Sequence, residues 1–423
     1  TLSVEEAGRY AGSSDDPARL AASFAGVASG LSNNGIIIRG NAPKGLLWRL
    51  EDVEISNPNH FANIATFGGG GLSALSSHVL SNSDFMTGAF PAEYGNALSG
   101  VFDLKLRNGN NQKYETTVQA GTIGLNIASE GPISKEQKSS YLVNYRYSTL
   151  ALITPLLPPE VGVIKYQDMS FKCNFPARKL GSFSVWGVGS TDKQVHDAVA
   201  DITKWDDPAD MSDYKSFTAV AACGVSHKIP VGKKSNFSSV LAFTANAIEW
   251  EENELDTLLK PNPMINVQDW SYNIVASTAF SHKFNSKLSS KTGIIMTREF
   301  FDLNVEQAPT KGQPLYTFVD KNGNTDVLQG YTQIKYAATE KLSFNLGVHS
   351  LYFALNGNIT IEPRLGAKWF VDEKNSLSFA YGLHSQSEPL MFYFAQNPST
   401  LNLPNKELRF AKAHHFVVAY DRR

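Results

Sequence analysis

The chain has 423 residues, with 38 Lys and Arg against 40 Asp and Glu and a formal net charge of −2. This near-neutral balance excludes the basic surface that nucleic-acid binding needs, so no nucleic-acid partner is predicted. Charged residues make up 18% of the chain, below the share of about a quarter in soluble domains, and aromatic residues make up 11%. The composition is typical of a membrane β-barrel, although a soluble β-sandwich would also satisfy it.

The segment 1–110 predicts a compact α+β unit. Two segments near its start, SVEEAGRY and DPARLAASFAGV, have helical spacing. The apolar run 36–38 and the segment 48–55 predict strands, and 101–106 alternates as a further strand. Between them, 72–80 places its leucine and valine residues at helical spacing and predicts a short helix.

From Lys113 onward, apolar and polar residues alternate with period two, which predicts β-strands over 111–423. In KLSFNLGVHSLYF one face is formed by Leu342, Phe344, Leu346, Val348 and Tyr352, and in SSYLVNYRYS tyrosines alternate with Asn144 and Arg146. An aromatic face opposite a polar face is typical of transmembrane strands that have lipid on one side and a lumen on the other. A soluble sandwich also alternates, but its apolar side favours aliphatic residues.

Connections between these strands are predicted to alternate in length, as do the periplasmic turns and extracellular loops of outer-membrane barrels. The short connections are 176–181, 230–236 and 371–376. The long connections are 194–213, 251–267, 304–325 and 386–407. This division gives about 13 strands, with the first near 113–130 and the last at 408–421.

Between Gly35 and Asn108 the chain contains GIIIRG, LEDVEI and AEYGNALSGVFDLKL, and these segments resemble the plug of TonB-dependent outer-membrane receptors. EPRLGAKW and KELRFAKAHHFVVAYD resemble barrel strands of the Bacteroidetes-type receptors in that family. The resemblance implies an α+β plug domain, 1–110, followed by an antiparallel transmembrane β-barrel, 111–423. The count of about 13 strands against about 22 in a plugged transporter predicts that the barrel is incomplete and the chain a fragment.

The resemblance also implies a function and its partners. The function would be TonB-dependent active import of a scarce, bulky ligand across the bacterial outer membrane, with the plug on the periplasmic side of the lumen. The TonB–ExbB–ExbD complex would act through a segment upstream of residue 1, and outer-membrane lipid would surround the barrel. The ligand stays open between siderophore, vitamin, peptide and oligosaccharide, and a surface lipoprotein is a further candidate partner. No enzymatic activity, cofactor or metal is predicted.

Two alternatives have different consequences for the plug and the membrane. A passive surface adhesin or ligand-capture barrel would contain a static plug and would not respond to the proton gradient. A soluble carbohydrate-binding β-protein would be released from membranes without detergent.

One predicted site is a lock between plug and barrel. Arg39 follows three apolar strand residues, and plug arginines of the family pair with barrel glutamates. Glu362 is the predicted partner, because outward-facing Leu365 and Trp369 would turn Glu362 and Arg364 into the lumen. A solvated arginine at the end of a strand is the alternative interpretation.

A second predicted site is the apex of the plug. Gly69 and Gly70 belong to a run of four glycines that predicts an apex loop beneath the binding cavity. Neither Lys-Ser/Thr nor a GxGxxG spacing accompanies this run, so a phosphate loop is excluded. Asn57 and His60 lie in a turn that is predicted at the ligand-facing surface. A loop without any ligand role is the alternative for both segments.

Further residues are candidates for close packing, ligand stacking or metal ligation. Gly95, in the segment before the last plug strand, predicts either a positive φ or a close approach of plug to wall. Loop aromatics predicted as candidates for stacking on a ligand, with interfacial anchoring as the alternative, are Trp205, Phe392 and Tyr393. The adjacent His414 and His415 would point to opposite faces of a strand, so they predict no metal site.

The two cysteines, Cys173 and Cys223, lie on predicted strands that are two apart in the sheet. Such strands are about 9–10 Å apart, which is beyond disulfide reach. Both cysteines are therefore expected to be unpaired, small, buried residues. The chain contains no GxSxG, HExxH or CxxC motif, so nothing in it predicts catalysis.

Overall fold

The computed structural model describes residues 16–29, 35–64, 67–121, 124–149, 163–398 and 400–422. The helix predicted in SVEEAGRY lies outside the described residues. The second predicted helix is present as α1, Pro17–Ala21. Among the described residues, no helix is long and apolar enough to cross a membrane.

The N-terminal part contains two small sheets. β1 (Val27–Ser29) pairs antiparallel with β2 (Ile36–Ile38). A four-stranded sheet has the order β4-β3-β6-β5, and β3 and β6 are parallel. Its strands are β3 (Leu46–Leu50), β4 (Val53–Ile55), β5 (Asp84–Met86) and β6 (Gly100–Leu104).

Two predictions about this part are wrong in detail. The segment 48–55 forms a hairpin instead of one strand, because Glu51 and Asp52 have φ angles of 49° and 74° and reverse the chain. The segment 72–80 contains a single 3₁₀ turn, Ser77–Val79, instead of a helix. Leu75, Val79 and Leu80 are nevertheless buried, since the core selects apolar side chains whatever the backbone conformation.

The C-terminal part is one antiparallel sheet of fourteen strands in chain order, β7 to β20. The strands are β7 (Glu115–Ala120), β8 (Gly124–Ser134), β9 (Ser139–Ser148), β10 (Val163–Pro176), β11 (Ser182–His196), β12 (Ser212–Val231), β13 (Ser235–Leu255), β14 (Pro261–Lys283), β15 (Leu288–Gln307), β16 (Tyr316–Ala337), β17 (Leu342–Phe353), β18 (Asn358–Phe370), β19 (Asn375–Gln386) and β20 (Ala411–Arg422). β7 and β20 do not pair with each other, so the sheet is open. This confirms the predicted fold of an α+β plug followed by an incomplete antiparallel barrel. The two parts are called the plug and the wall below.

The strand boundaries differ from the prediction in two places. The segment 113–130 contains two strands, β7 and part of β8, which raises the count to fourteen. The expected long loops 251–267 and 304–325 are mostly strand, because β13 to β16 are 20 to 23 residues long. These strand ends do not alternate between apolar and polar residues, so their sequence resembles a loop.

The alternation of outward and inward residues follows the prediction. Leu365 and Trp369 are 44% and 49% exposed on the outer face, while Glu362 and Arg364 are buried on the inner face. The two cysteines are unpaired as expected, but Cys173 is half-buried and Cys223 is exposed. Burial of both was therefore a wrong prediction, because a small residue suits either face of a strand.

The plug lies against the inner face of the wall. All five residues of β3 and of β6 are buried, and the rings of Trp48 and Phe102 stack at a centroid distance of 4.5 Å. The same apolar cluster continues into the wall through Leu142 and Trp186. Each such side chain contributes roughly 1.5–3 kcal/mol when it is fully buried. One side of the plug is therefore held by an apolar contact.

Candidate functional site

The structure does not bring the predicted lock residues together. Glu362 is fully buried, and its carboxylate accepts a hydrogen bond from Arg364 Nη2 at 2.6 Å and another from the Ser385 hydroxyl. Arg39 is exposed, and within the described part of the chain it makes no ion pair with Glu362. The predicted pairing is thus corrected: Arg364, two residues along the same strand, is the partner of Glu362.

Arg364 nevertheless contacts the plug. Arg364 donates to the backbone carbonyl of Tyr94 at 3.3 Å, and its guanidinium lies 5.1 Å from the ring centroid of Phe90. Phe90 also packs on His384, with the ring centroids 4.0 Å apart. His384 Nε2 accepts a hydrogen bond from Arg364 at 2.7 Å, which requires a neutral imidazole nitrogen. A cationic and aromatic contact therefore holds this plug segment.

Gly95 confirms the predicted close approach of plug to wall. A Cβ at this position would lie 2.0 Å from His349 Nε2 and 2.5 Å from Gln329 Oε1. The His349 ring is fixed because its Nδ1 is 2.9 Å from the carbonyl oxygen of Ala92. A positive φ is not needed here, since Gly95 is not among the residues with one.

We expect Gly95→Ala to destabilise the plug by about 1–3 kcal/mol, the usual cost of overpacking. Urea titration with limited proteolysis of the plug measures this change. Gly330→Ala is the matched control, because nothing lies within 4 Å of a Cβ at Gly330. Equal stability of the two variants would show that the wall side chains next to Gly95 move aside without a measurable cost.

His60 joins the plug to the opposite region of the wall. Its ring is fully buried, with Nε2 3.0 Å from Asp168 Oδ2 and Nδ1 3.3 Å from Asp192 Oδ2. Arg146 also donates to Asp168, through Nε at 2.8 Å. Burial by itself would lower the pKa of His60, but the hydrogen bonds and charges of the two aspartates outweigh it and raise that pKa. An imidazolium and a guanidinium thus balance two buried carboxylates.

A second charged contact lies at the end of the plug. Lys172 Nζ is 2.9 Å from Glu51 Oε1 and donates to the carbonyl of Leu106 at 2.8 Å. Arg107 forms a bidentate pair with Glu130, with distances of 2.7 and 2.8 Å. Arg107 is thus a plug arginine that pairs with a wall glutamate. This is the kind of ion pair that is predicted for Arg39, but it forms at another position.

The predicted apex residues have structural roles in the plug. Gly69 and Gly70 are buried, and the Asn57 side chain donates to the carbonyl of Gly69 at 2.8 Å. A Cβ at Gly70 would lie 2.4 Å from Asn59 Cβ. His60 faces the wall instead of an external ligand, so its predicted ligand-facing role is corrected. Nothing in the local sequence distinguishes a turn that docks on a wall from one that faces solvent.

Above these residues two adjoining cavities, of about 270 and 290 Å³, separate the plug from the wall. Residues that line both include Lys44, Glu54, Asn57, Asn246, Ser271 and Gln386. Asn96 donates to Glu54 at 2.9 Å, and burial of Glu54 among protein atoms raises its pKa to about 7. We call this pair of cavities the apex cavity. Of the predicted apex residues, only Asn57 lines it.

The three predicted loop aromatics have different environments. Phe392, in the short helix α2 (Leu390–Tyr393), packs on Phe67 of the plug with ring centroids 5.3 Å apart, next to the apex cavity. Tyr393 is fully buried, which corrects its predicted ligand contact. Trp205 donates to the carbonyl of Val199 within its own loop and does not line the apex cavity.

Known structures share this fold. The siderophore receptor PirA from Acinetobacter baumannii matches with a TM-score of 0.72 and 13% identity, over 100% of this chain and 68% of the receptor. A mutant of the ferric enterobactin receptor PfeA from Pseudomonas aeruginosa matches with a TM-score of 0.68 and 10% identity, over 100% and 68%. The outer membrane transporter YddB from Escherichia coli matches with a TM-score of 0.61 and 12% identity, over 92% and 61%.

No family model and no curated protein sequence matches the chain. At these identities the structural likeness establishes the fold, which is that of plugged outer-membrane receptors. The chain spans about two thirds of the length of PirA and PfeA.

Proposed function

We propose that the protein imports a scarce, bulky ligand across the bacterial outer membrane, with energy supplied through TonB and the plug gating the lumen. The observation that carries this proposal is the set of charged contacts between plug and wall, centred on His60, Glu51 and Arg107. When a plug moves, its ion pairs and hydrogen bonds to the wall can be replaced by contacts with water. Such contacts therefore favour a plug that can leave its docked position. A buried ion pair is weak evidence for stability and a better candidate for a switch.

Three partners follow from this proposal. The TonB–ExbB–ExbD complex would pull on the plug from the periplasm. Lipid would surround the outer face, where Phe379 and Val418 are 47% and 78% exposed. The ligand would arrive from outside, with siderophores and oligosaccharides as candidate classes and a surface lipoprotein as a candidate helper. A Bacteroidetes-type receptor remains part of the proposal, on the barrel segments quoted above.

The proposal is tested by labelling a buried plug residue in living cells. Ala62 is 2% exposed and follows His60 by two residues. In protein lacking its natural cysteines, we expect Ala62→Cys to react with a membrane-impermeant maleimide in energised cells. A protonophore or deletion of TonB should reduce the labelling to background, because the plug then stays docked.

Leu258→Cys is the control, since Leu258 is 86% exposed and should be labelled under every condition. If neither the protonophore nor the TonB deletion changes the labelling of Ala62→Cys, gating of the lumen by the plug would be contradicted. That outcome would support the alternative, a passive capture barrel with a static plug.

A further inference from the structure

The apex cavity has a marked charge. Three of its carboxylates come from different elements: Glu54 from β4, Asp269 from β14 and Glu299 from β15. Among the described residues that line it, the single cationic side chain is Lys44, whose Nζ lies 2.5 Å from Glu388 Oε2. The Lys44 charge is therefore balanced within the protein, and no other cation of the described lining lies opposite the three carboxylates. Because the pKa of Glu54 is raised to about 7, the cavity carries its full negative charge only above neutral pH.

The other polar groups of the cavity are mainly amides, including Asn57, Asn246, Asn273 and Gln386. An amide both donates and accepts hydrogen bonds, whereas an ionised carboxylate only accepts. A ligand that satisfies this lining must present donors such as hydroxyl or ammonium groups. A ligand with anionic oxygens would place acceptors against acceptors and negative charge against negative charge.

One edge of the cavity is apolar. Phe67 of the plug and Phe392 of the last loop form an aromatic pair there, and Phe67 is 39% exposed. Exposed aromatic rings beside hydrogen-bonding groups fit a ligand with both apolar faces and hydroxyl edges, because aromatic residues cover such faces with little loss of entropy.

We infer that the apex cavity accepts a polyhydroxylated ligand that is neutral or positively charged, and that it repels polyanions. The inference rests on the proposed function for the existence of a ligand site, and it adds the charge and hydrogen-bonding class of the ligand. It separates this protein from a receptor for a polyanionic ligand, even though the fold is shared with siderophore receptors.

A second cavity provides an internal control of opposite sign. It has a volume of about 570 Å³ and lies beside the turns 232–234 and 284–287. Its described lining contains no carboxylate and several lysines, among them Lys234, Lys283 and Lys335. Lys291 also lines it, but its charge is paired with Glu93. Ser289 lines this basic cavity, and Ser271 lines the apex cavity.

The experiment measures the sign of the potential at each serine. In purified protein without natural cysteines, Ser271→Cys and Ser289→Cys are treated at about pH 8.5, where Glu54 is ionised, with a cationic and an anionic methanethiosulfonate of similar size. After correction for the rates with a free thiol, we expect the cationic reagent to modify Ser271→Cys about tenfold faster than the anionic one. The order should reverse at Ser289→Cys. Neutralising the carboxylates by Glu54→Gln, Asp269→Asn and Glu299→Gln should bring the ratio at Ser271→Cys close to one.

Equal rates, or a faster anionic reagent, at Ser271→Cys would overturn the inference. This measurement uses no energy source, no TonB and no natural ligand, so its failure is distinct from failure of the gating experiment. If Ala62→Cys is labelled only in energised cells but the apex cavity prefers the anionic reagent, the import function would be supported and the ligand class would be rejected. If labelling does not depend on energy but the apex cavity prefers the cationic reagent, the ligand class would be supported in a receptor with a static plug.

Discussion

Replacing His60 by alanine should destabilise the docked plug by about 3–5 kcal/mol, the cost of breaking a buried charge pair by removing one partner. The variant leaves Asp168 and Asp192 facing each other without the imidazolium between them. Asp192 retains a hydrogen bond from Thr218 at 2.7 Å, and Asp168 retains Arg146. These contacts balance only part of the negative charge. The change is measured as the urea concentration at which the plug becomes sensitive to protease.

Two further variants give this prediction its controls. His414→Ala removes an exposed histidine on the outer face and should change stability by less than about 0.5 kcal/mol. Adding Asp192→Asn to His60→Ala should restore part of the lost stability, because it removes one of the two opposed charges. Without any recovery in the double variant, the loss would have to come from packing against Tyr166, whose ring centroid is 4.5 Å from that of His60.

Lys172→Met should have an effect of similar size, about 3–5 kcal/mol, for the same reason. Methionine keeps the apolar stem of the side chain but leaves the Glu51 carboxylate buried without its cation. The carbonyl of Leu106 also loses a donor. The same urea and protease assay measures the change, and Glu51→Gln in the Lys172→Met background should recover part of it.

Lys113→Met provides the comparison for this pair. Lys113 lies 2.6 Å from Glu115, but the Lys113 side chain is 71% exposed. Exposed pairs contribute about 0–1 kcal/mol, because water screens both charges. Similar losses for Lys113→Met and Lys172→Met would show that burial does not set the strength of the Glu51 contact.

These predictions concern contacts that local sequence does not reveal. His60 is separated from Asp168 by 108 residues and from Asp192 by 132. Each residue by itself is compatible with a solvated turn or a polar strand face. The hairpin at Glu51 and Asp52 is different, since an aspartate such as Asp52 within a predicted strand is a local signal for a turn.

The pairing of Glu362 shows how a correct local prediction leads to a wrong partner. Alternation along β18 correctly turned Glu362 and Arg364 toward the lumen, because the two sides of a strand follow directly from its period of two. The choice of partner depends on where the plug segment 89–95 lies against the wall. Arg364 is two residues away on the same face, so it reaches Glu362 with no need for the plug to supply a cation.

The sequence by itself determined the class of fold and the sidedness of the strands, since both depend on local periodicity and on landmarks within short segments. It also marked Gly95 as a position that requires glycine, with a positive φ or a close approach as the two reasons. The tertiary structure alone decided that His60 faces the wall, that Tyr393 is buried, and which charges line the apex cavity. Those properties arise where distant segments meet, and burial and electrostatic balance depend on all the neighbours of a residue in space.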